Sequence, residues 1–140
     1  MSQKKRLAQT GFSLIELVIV IAIIGIISLI LFPNFSVIQN KAKETSLKST
    51  AHSLQLSIEA YYLNHGSYPD GTLSVTALAS TLETSGELSK MPTNPFTGTS
   101  CSDSDASGKI TYSYNSNTGI YSLHIFGAGN SVEILTLQNS

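Results

Sequence analysis

Cysteine is almost missing from the chain. Cys101 is the single one among 140 residues, so no intramolecular disulfide can form and no CxxC or other metal-type cysteine pair exists. Catalytic groupings are missing too. His52, His65 and His124 stand apart, with no Asp/Ser or Cys arrangement to make any of them a general base, and no glycine-rich phosphate loop occurs. These absences nominate no catalytic residue, no metal ligand and no cofactor, and the chain reads as a non-enzyme.

Charge is scarce as well, at 12% of residues, and its distribution is uneven. Lys4, Lys5 and Arg6 supply three of the eight basic residues within the first 11 positions, which carry no acid. Without that segment five lysines face nine acids, and the formal charge moves from −1 to −4. A mildly acidic remainder offers no nucleic-acid surface, so no nucleic-acid partner is expected.

From Phe12 to Phe32 the only charged residue is Glu16. A helix of that length would be about 31 Å long, enough to cross the hydrocarbon core of a bilayer. The basic cluster ahead of it is held on the cytoplasmic side, so the remainder of the chain is expected outside. Its small residue is unusually placed. Secretory signals are cut after the apolar region, at small residues, whereas Gly11 precedes the apolar run. A cut there would remove the basic leader and keep the hydrophobic segment.

The motif Gly11-Phe12-Ser13-Leu14-Ile15-Glu16 resembles the signature of type IV prepilins and of the pseudopilins of type II secretion. The resemblance implies cleavage between Gly11 and Phe12, methylation of the new amino-terminal Phe12, and a role for Glu16 as the family's glutamate at the fifth mature position. A second stretch, Tyr61-Tyr62-Leu63-Asn64-His65-Gly66-Ser67-Tyr68-Pro69, is similar to the end of the long helix in the same proteins, where an aromatic pair precedes a glycine and a Tyr-Pro.

Residues 12 to 64 read as one long helix in two regimes. The first is apolar all round. In the second, Leu47, Ala51, Leu54, Ile58 and Tyr61 draw a stripe at alternating spacings of four and three, while Lys41, Lys43, Glu44, Lys48, Gln55 and Glu59 lie largely off it and are expected to face water. Pro33 lacks an amide proton, so a bend is expected there, and Gly25 weakens the helix by roughly 1 kcal/mol relative to Ala. By resemblance, Gly25 and Pro33 match positions bracketing a helix segment that unwinds in some assembled type IV filaments. Gly66 should end the helix, with His65 near its terminal carbonyls.

Val75, Leu78, Ala79 and Leu82 predict a short helix from about Val75 to Glu83, ended near Gly86. Pro92 and Pro95 forbid regular structure around them, and residues 97 to 108 read as an exposed polar loop. Ile110 to Tyr114, Ile120 to Phe126 and Val132 to Leu137 predict three strands joined by turns at residues 115–119 and 127–130, an antiparallel meander. The expected fold class is α+β, with the amphipathic half of the long helix packed on a small sheet. The expected organisation is a leader over 1–11, a transmembrane and assembly helix over 12–35 and a globular domain over 36–140. That domain comprises the helix 36–65, a connecting region 66–109 and the meander 110–137.

A carboxylate inside an apolar helix costs several kcal/mol unless it is paired or protonated. Glu16 is read either as a residue reaching the headgroups from the membrane edge or, with the weight the motif gives, as the partner of a Phe12 ammonium in its own or a neighbouring subunit. Asp103 and Asp105 could suggest a calcium loop, but two acids in a polar loop are more often solvated surface. Major pseudopilins bind calcium in an aspartate-rich carboxy-terminal loop, and residues 127–133 lack those aspartates. Many Gram-negative pilins close a carboxy-terminal loop with a disulfide, and here the lone Cys101 departs from them.

The resemblance implies a structural subunit of a type IV pilus-like filament, processed by prepilin peptidase, stored in the inner membrane and polymerised through its N-terminal helix. Alternatives are a pseudopilin of type II secretion or DNA uptake, and a membrane-anchored binding protein that never polymerises. Implied partners are identical copies, related minor pilins, the prepilin peptidase, an inner-membrane assembly platform and, before assembly, membrane lipid. The expected location is a single pass through the inner membrane and then an extracellular or periplasmic filament.

Overall fold

Leu47, Ala51, Leu54 and Ile58 recur every three or four residues, and the helix face they share is the face that the structure buries completely, each at 0% exposure. The computed structural model describes residues 11–31 and 35–139, and the chain divides between Ser36 and Val37 into two units. The first holds α1 (Leu14–Leu31), an unbroken helix that contains Gly25. Pro33 and the bend expected of it lie outside the described residues. Next comes α2 (Phe35–His65), which ends where Gly66, at a φ of 73°, donates its N–H to the Tyr62 carbonyl at 2.8 Å, the single-bond left-handed cap that glycine accommodates.

The second unit packs α2 on a four-stranded antiparallel sheet in the order β1-β2-β3-β4, comprising β1 (Thr72–Ser74), β2 (Ile110–Asn115), β3 (Ile120–Phe126) and β4 (Glu133–Gln138). The α+β class holds, with a correction to the sheet. Three strands were expected, but Thr72–Ser74 adds a fourth by pairing Leu73 with Tyr112 at the β2 edge. Three residues are too short for an alternation to be read, and only the partner strand makes them extended. Cross-strand partners share a face, so Tyr112, Leu123 and Leu137 form one inward row and Ile110, Ile125 and Leu135 the next. These rows meet the α2 stripe in one hydrophobic core that also takes in Val75, Leu78 and Leu82.

Those last three belong to α3 (Val75–Thr84), which begins where the Ser74 hydroxyl accepts the Ala77 N–H. It ends in a Schellman motif, with Gly86 and Glu87 donating to the Glu83 and Leu82 carbonyls at 3.1 and 2.9 Å.

The polar stretch from 97 to 108 is mostly exposed, as expected, with Cys101 and Gly108 buried within it. It is nonetheless held in place, because Asn94, fully buried, gathers it. The Asn94 Nδ2 donates to Asp105 Oδ2 and to the Ser107 carbonyl, both at 2.8 Å, and its Oδ1 accepts the Phe96 N–H at 2.9 Å. Gly108 lies against this amide at a φ of 75°, where a Cβ would come within 2.6 Å of Asn94 Oδ1. Asn130, at a φ of 52°, ties the same loop to the β3–β4 turn by accepting from the Lys109 N–H and donating to the Asp105 carbonyl.

Candidate functional site

The amino-terminal motif forms its own small structure. Gly11, Phe12 and Ser13 precede α1, with Phe12 78% exposed. Ser13 caps the helix. Its hydroxyl accepts the Glu16 N–H at 3.3 Å while the Glu16 carboxylate accepts the Ser13 N–H at 2.8 Å, which is the reciprocal capping box. Two backbone donors that a helix start leaves unpaired are thereby satisfied. The signal is present in the sequence as Ser-x-x-Glu ahead of an apolar run, a second role for Glu16 beside the expected pairing with a Phe12 ammonium of its own or a neighbouring subunit.

The capping box places the carboxylate at the amide of the residue following Phe12. Cleavage before Phe12 would create an ammonium one residue from the group that Glu16 already holds. The helix start also favours negative charge through the unpaired N–H dipoles of its first turn.

Along α1 the side chains apart from Glu16 and Ser28 are apolar, and they are exposed on every side, with Leu14 at 81% and Ile30 at 69%. Such a surface is unsuited to water and demands lipid or other helices. Among the described residues no single helix is long and apolar enough to cross a membrane. The test of length and composition is met by α1 and α2 only as an interrupted pair.

The other residues singled out in the sequence take structural positions. Asp103, expected to be solvated, accepts from the Thr76 N–H at 3.5 Å and from the Thr76 hydroxyl, and so fastens the loop to the start of α3. What burial it has would raise its pKa, yet the hydrogen bonds from Thr76 and Ser74 outweigh that and hold the carboxyl below its ordinary value. Asp105 accepts from Asn94 and from the Ser102 N–H at 2.8 Å. Both acids are thus engaged by protein donors, and among the described residues no group of three or more His, Cys, Asp or Glu could hold a metal ion. His65 Nδ1 lies 3.0 Å from the Tyr61 carbonyl, as expected for a helix end, and its ring stacks on Tyr61 at 4.1 Å. His124 pairs with Glu133 at 3.1 Å on the outer face of the sheet, while His52 is exposed on α2.

Cys101 is buried in the core, and burial, followed by the nearby Asp105 charge, pushes its thiol up to about 11. The reactive thiolate is therefore scarce at neutral pH. Glu59 calls for a second correction. Placed off the stripe and expected in water, it instead accepts from Tyr121 at 2.7 Å and from Tyr68 at 3.0 Å, which pins α2 to the sheet.

Residues 6–32 match the model of the prokaryotic N-terminal methylation motif. The chain is 37% identical over 73 residues to a fimbrial protein of Neisseria meningitidis serogroup A, covering 52% of this chain and 43% of that relative. It is 38% identical over 60 residues to the type IV major pilin protein PilA of Myxococcus xanthus, covering 43% and 27%. With the type II secretion system core protein G of Klebsiella michiganensis it shares 31% identity over 74 residues, covering 53% and 52%. The chain thus spans about half or less of the length of these curated relatives. No solved structure matches it.

Proposed function

We propose that this chain is a prepilin-type subunit of a type IV pilus-like filament, a structural protein and not an enzyme. The single observation that carries the reading is the methylation motif over residues 6–32, in which a glycine precedes an apolar helix that processing would keep. On this reading prepilin peptidase cuts between Gly11 and Phe12 and the new Phe12 amine is methylated. The subunit is then anchored in the inner membrane by the apolar segment 12–35, to which α1 belongs, with its globular unit outside. Assembly on an inner-membrane platform moves α1 from lipid into a bundle of identical helices, together with related minor pilins. The apolar circumference of α1 supports this, since it suits both environments.

Glu16 sets the register of that assembly. In the bundle its carboxylate pairs with a Phe12 ammonium of its own or a neighbouring subunit, because either charge left alone in an apolar environment costs several kcal/mol. Gly25, a weak point of α1, and Pro33 beyond it would let the intervening helix yield as subunits pack. The similarity to type II secretion protein G supports a second reading, a short periplasmic pseudopilin filament built by the same chemistry.

Glu16→Leu tests the proposal. The change makes the segment more hydrophobic, so the chain should still be found in the membrane fraction. The yield of sheared filaments should collapse. Wild-type filament yield from the mutant would remove Glu16 from assembly, and a chain confined to the membrane in both backgrounds would point to a non-polymerising anchored protein.

A further inference from the structure

All six tyrosines of the chain lie in the second unit, at residues 61, 62, 68, 112, 114 and 121. Four of them form a connected path of rings. Tyr62 stacks on Tyr68 at 4.5 Å, Tyr68 meets Tyr121 at 4.8 Å, and Tyr121 meets Tyr112 at 5.9 Å. Tyr114 branches from Tyr68 at 5.8 Å. The path runs from solvent inward, since Tyr62 is 42% exposed, Tyr68 8% and Tyr121 fully buried.

Ring packing alone is ordinary core building. What distinguishes this cluster is where the phenolic protons go. An oxidised phenol is a strong acid, so a phenol gives up an electron readily at neutral pH only where a base lies within hydrogen-bond reach, about 2.6–3.2 Å. Glu59 meets that condition twice, with Oε1 2.7 Å from the Tyr121 hydroxyl and Oε2 3.0 Å from that of Tyr68. The Tyr112 hydroxyl, by contrast, donates to the Pro69 carbonyl at 2.8 Å, and a peptide carbonyl is far too weak a base to take its proton. An electron vacancy entering the cluster therefore has somewhere to settle at Tyr68 and Tyr121, and nowhere at Tyr112.

We propose that Tyr62, Tyr68, Tyr121 and Glu59 form a one-electron oxidation site that accepts oxidising equivalents from small diffusing one-electron oxidants such as the carbonate radical. The oxidant gains one electron at the exposed Tyr62, whose phenol sheds its proton to water, and an electron from Tyr68 or Tyr121 together with a proton from water then restores it. The inner phenol thus loses one electron through the rings and one proton to Glu59, leaving a neutral tyrosyl radical beside a protonated carboxyl. A small-molecule reductant such as ascorbate returns the electron and Glu59 returns the proton, so the cycle closes without a lasting change. The site belongs to the globular unit and is independent of whether the chain polymerises.

The test uses the full-length chain in detergent micelles and flash-generated tris-bipyridyl ruthenium(III) as the one-electron oxidant, followed by transient absorption and freeze-quench electron paramagnetic resonance. Wild type should give a neutral tyrosyl radical. Glu59→Gln keeps the side-chain volume and a carbonyl acceptor but removes the base, and it should slow radical formation at pH 7 by about 100-fold, the lower end of what a positioned base contributes. Tyr62→Phe should slow capture from solution without changing the final spectrum. Tyr112→Phe should leave rate and spectrum unchanged, whereas the ring-preserving double variant Tyr68→Phe with Tyr121→Phe should abolish the long-lived signal. Wild-type kinetics in Glu59→Gln, or a long-lived radical that survives the double variant, would overturn the proposal.

Discussion

Asn94 holds three loop residues, Phe96, Asp105 and Ser107, with one uncharged side chain, and nothing in its local sequence announces it. An amide between two prolines in a polar stretch looks like turn material, yet it is fully buried with both donors and its acceptor engaged. Removing it should leave the Phe96 N–H and the Ser107 carbonyl without partners, each worth about 1–3 kcal/mol when buried. Asn94→Ala is therefore expected to lower the urea midpoint clearly, while Asn117→Ala in the exposed β2–β3 turn should change it little. Tyr68 gives a pH-dependent counterpart. Burial, followed by the hydrogen bond to Glu59, pushes its phenol from 10.0 up to about 12. A raised folded value means the stability it contributes is complete below pH 10 and is lost as pH climbs from 10 through 12. Alkaline unfolding should accordingly begin near pH 10, and a native chain whose tyrosines all ionise at 10 would contradict the buried arrangement.

Helices and strands with a regular period were readable from the amino acids alone. The α2 stripe, the α3 positions and the alternation in β2 and β3 each repeat a spacing that local geometry enforces, and each is buried as that spacing requires except at Tyr61 and Tyr114, which are half-buried at the edge of the core. Leu54→Ala or Ile58→Ala should destabilise the second unit by about 2–5 kcal/mol, since each leaves a cavity beneath the sheet. Lys48→Ala, off the stripe, should stay within about 0.5 kcal/mol. Equal small effects at all three positions would mean that the stripe does not meet the sheet. The features that escaped the sequence are those with no period. β1 is three residues long and exists because Tyr112 and its neighbours accept it. Glu59 faces the tyrosines only because Tyr68 and Tyr121 arrive from distant parts of the chain. Ser13 is a different case, because its capping partner lies three residues away and the pattern was there to be seen.

At the scale of the whole molecule the two units, on the proposed reading, divide the labour of a filament subunit. One is a helix whose apolar surface has no use in water, started by a capping box that leaves a carboxylate beside the proposed cleavage point. The other is an α+β core that holds its polar loop with Asn94 and Asn130 and fastens α2 to the sheet through the bonds of Tyr68 and Tyr121 to Glu59. The measurement that bears most directly on this division is the intact mass of the chain recovered from sheared surface filaments. Processing at the motif predicts residues 12–140 carrying one added methyl group. A filament-borne chain that begins after residue 32, or one that retains residues 1–11, would contradict it.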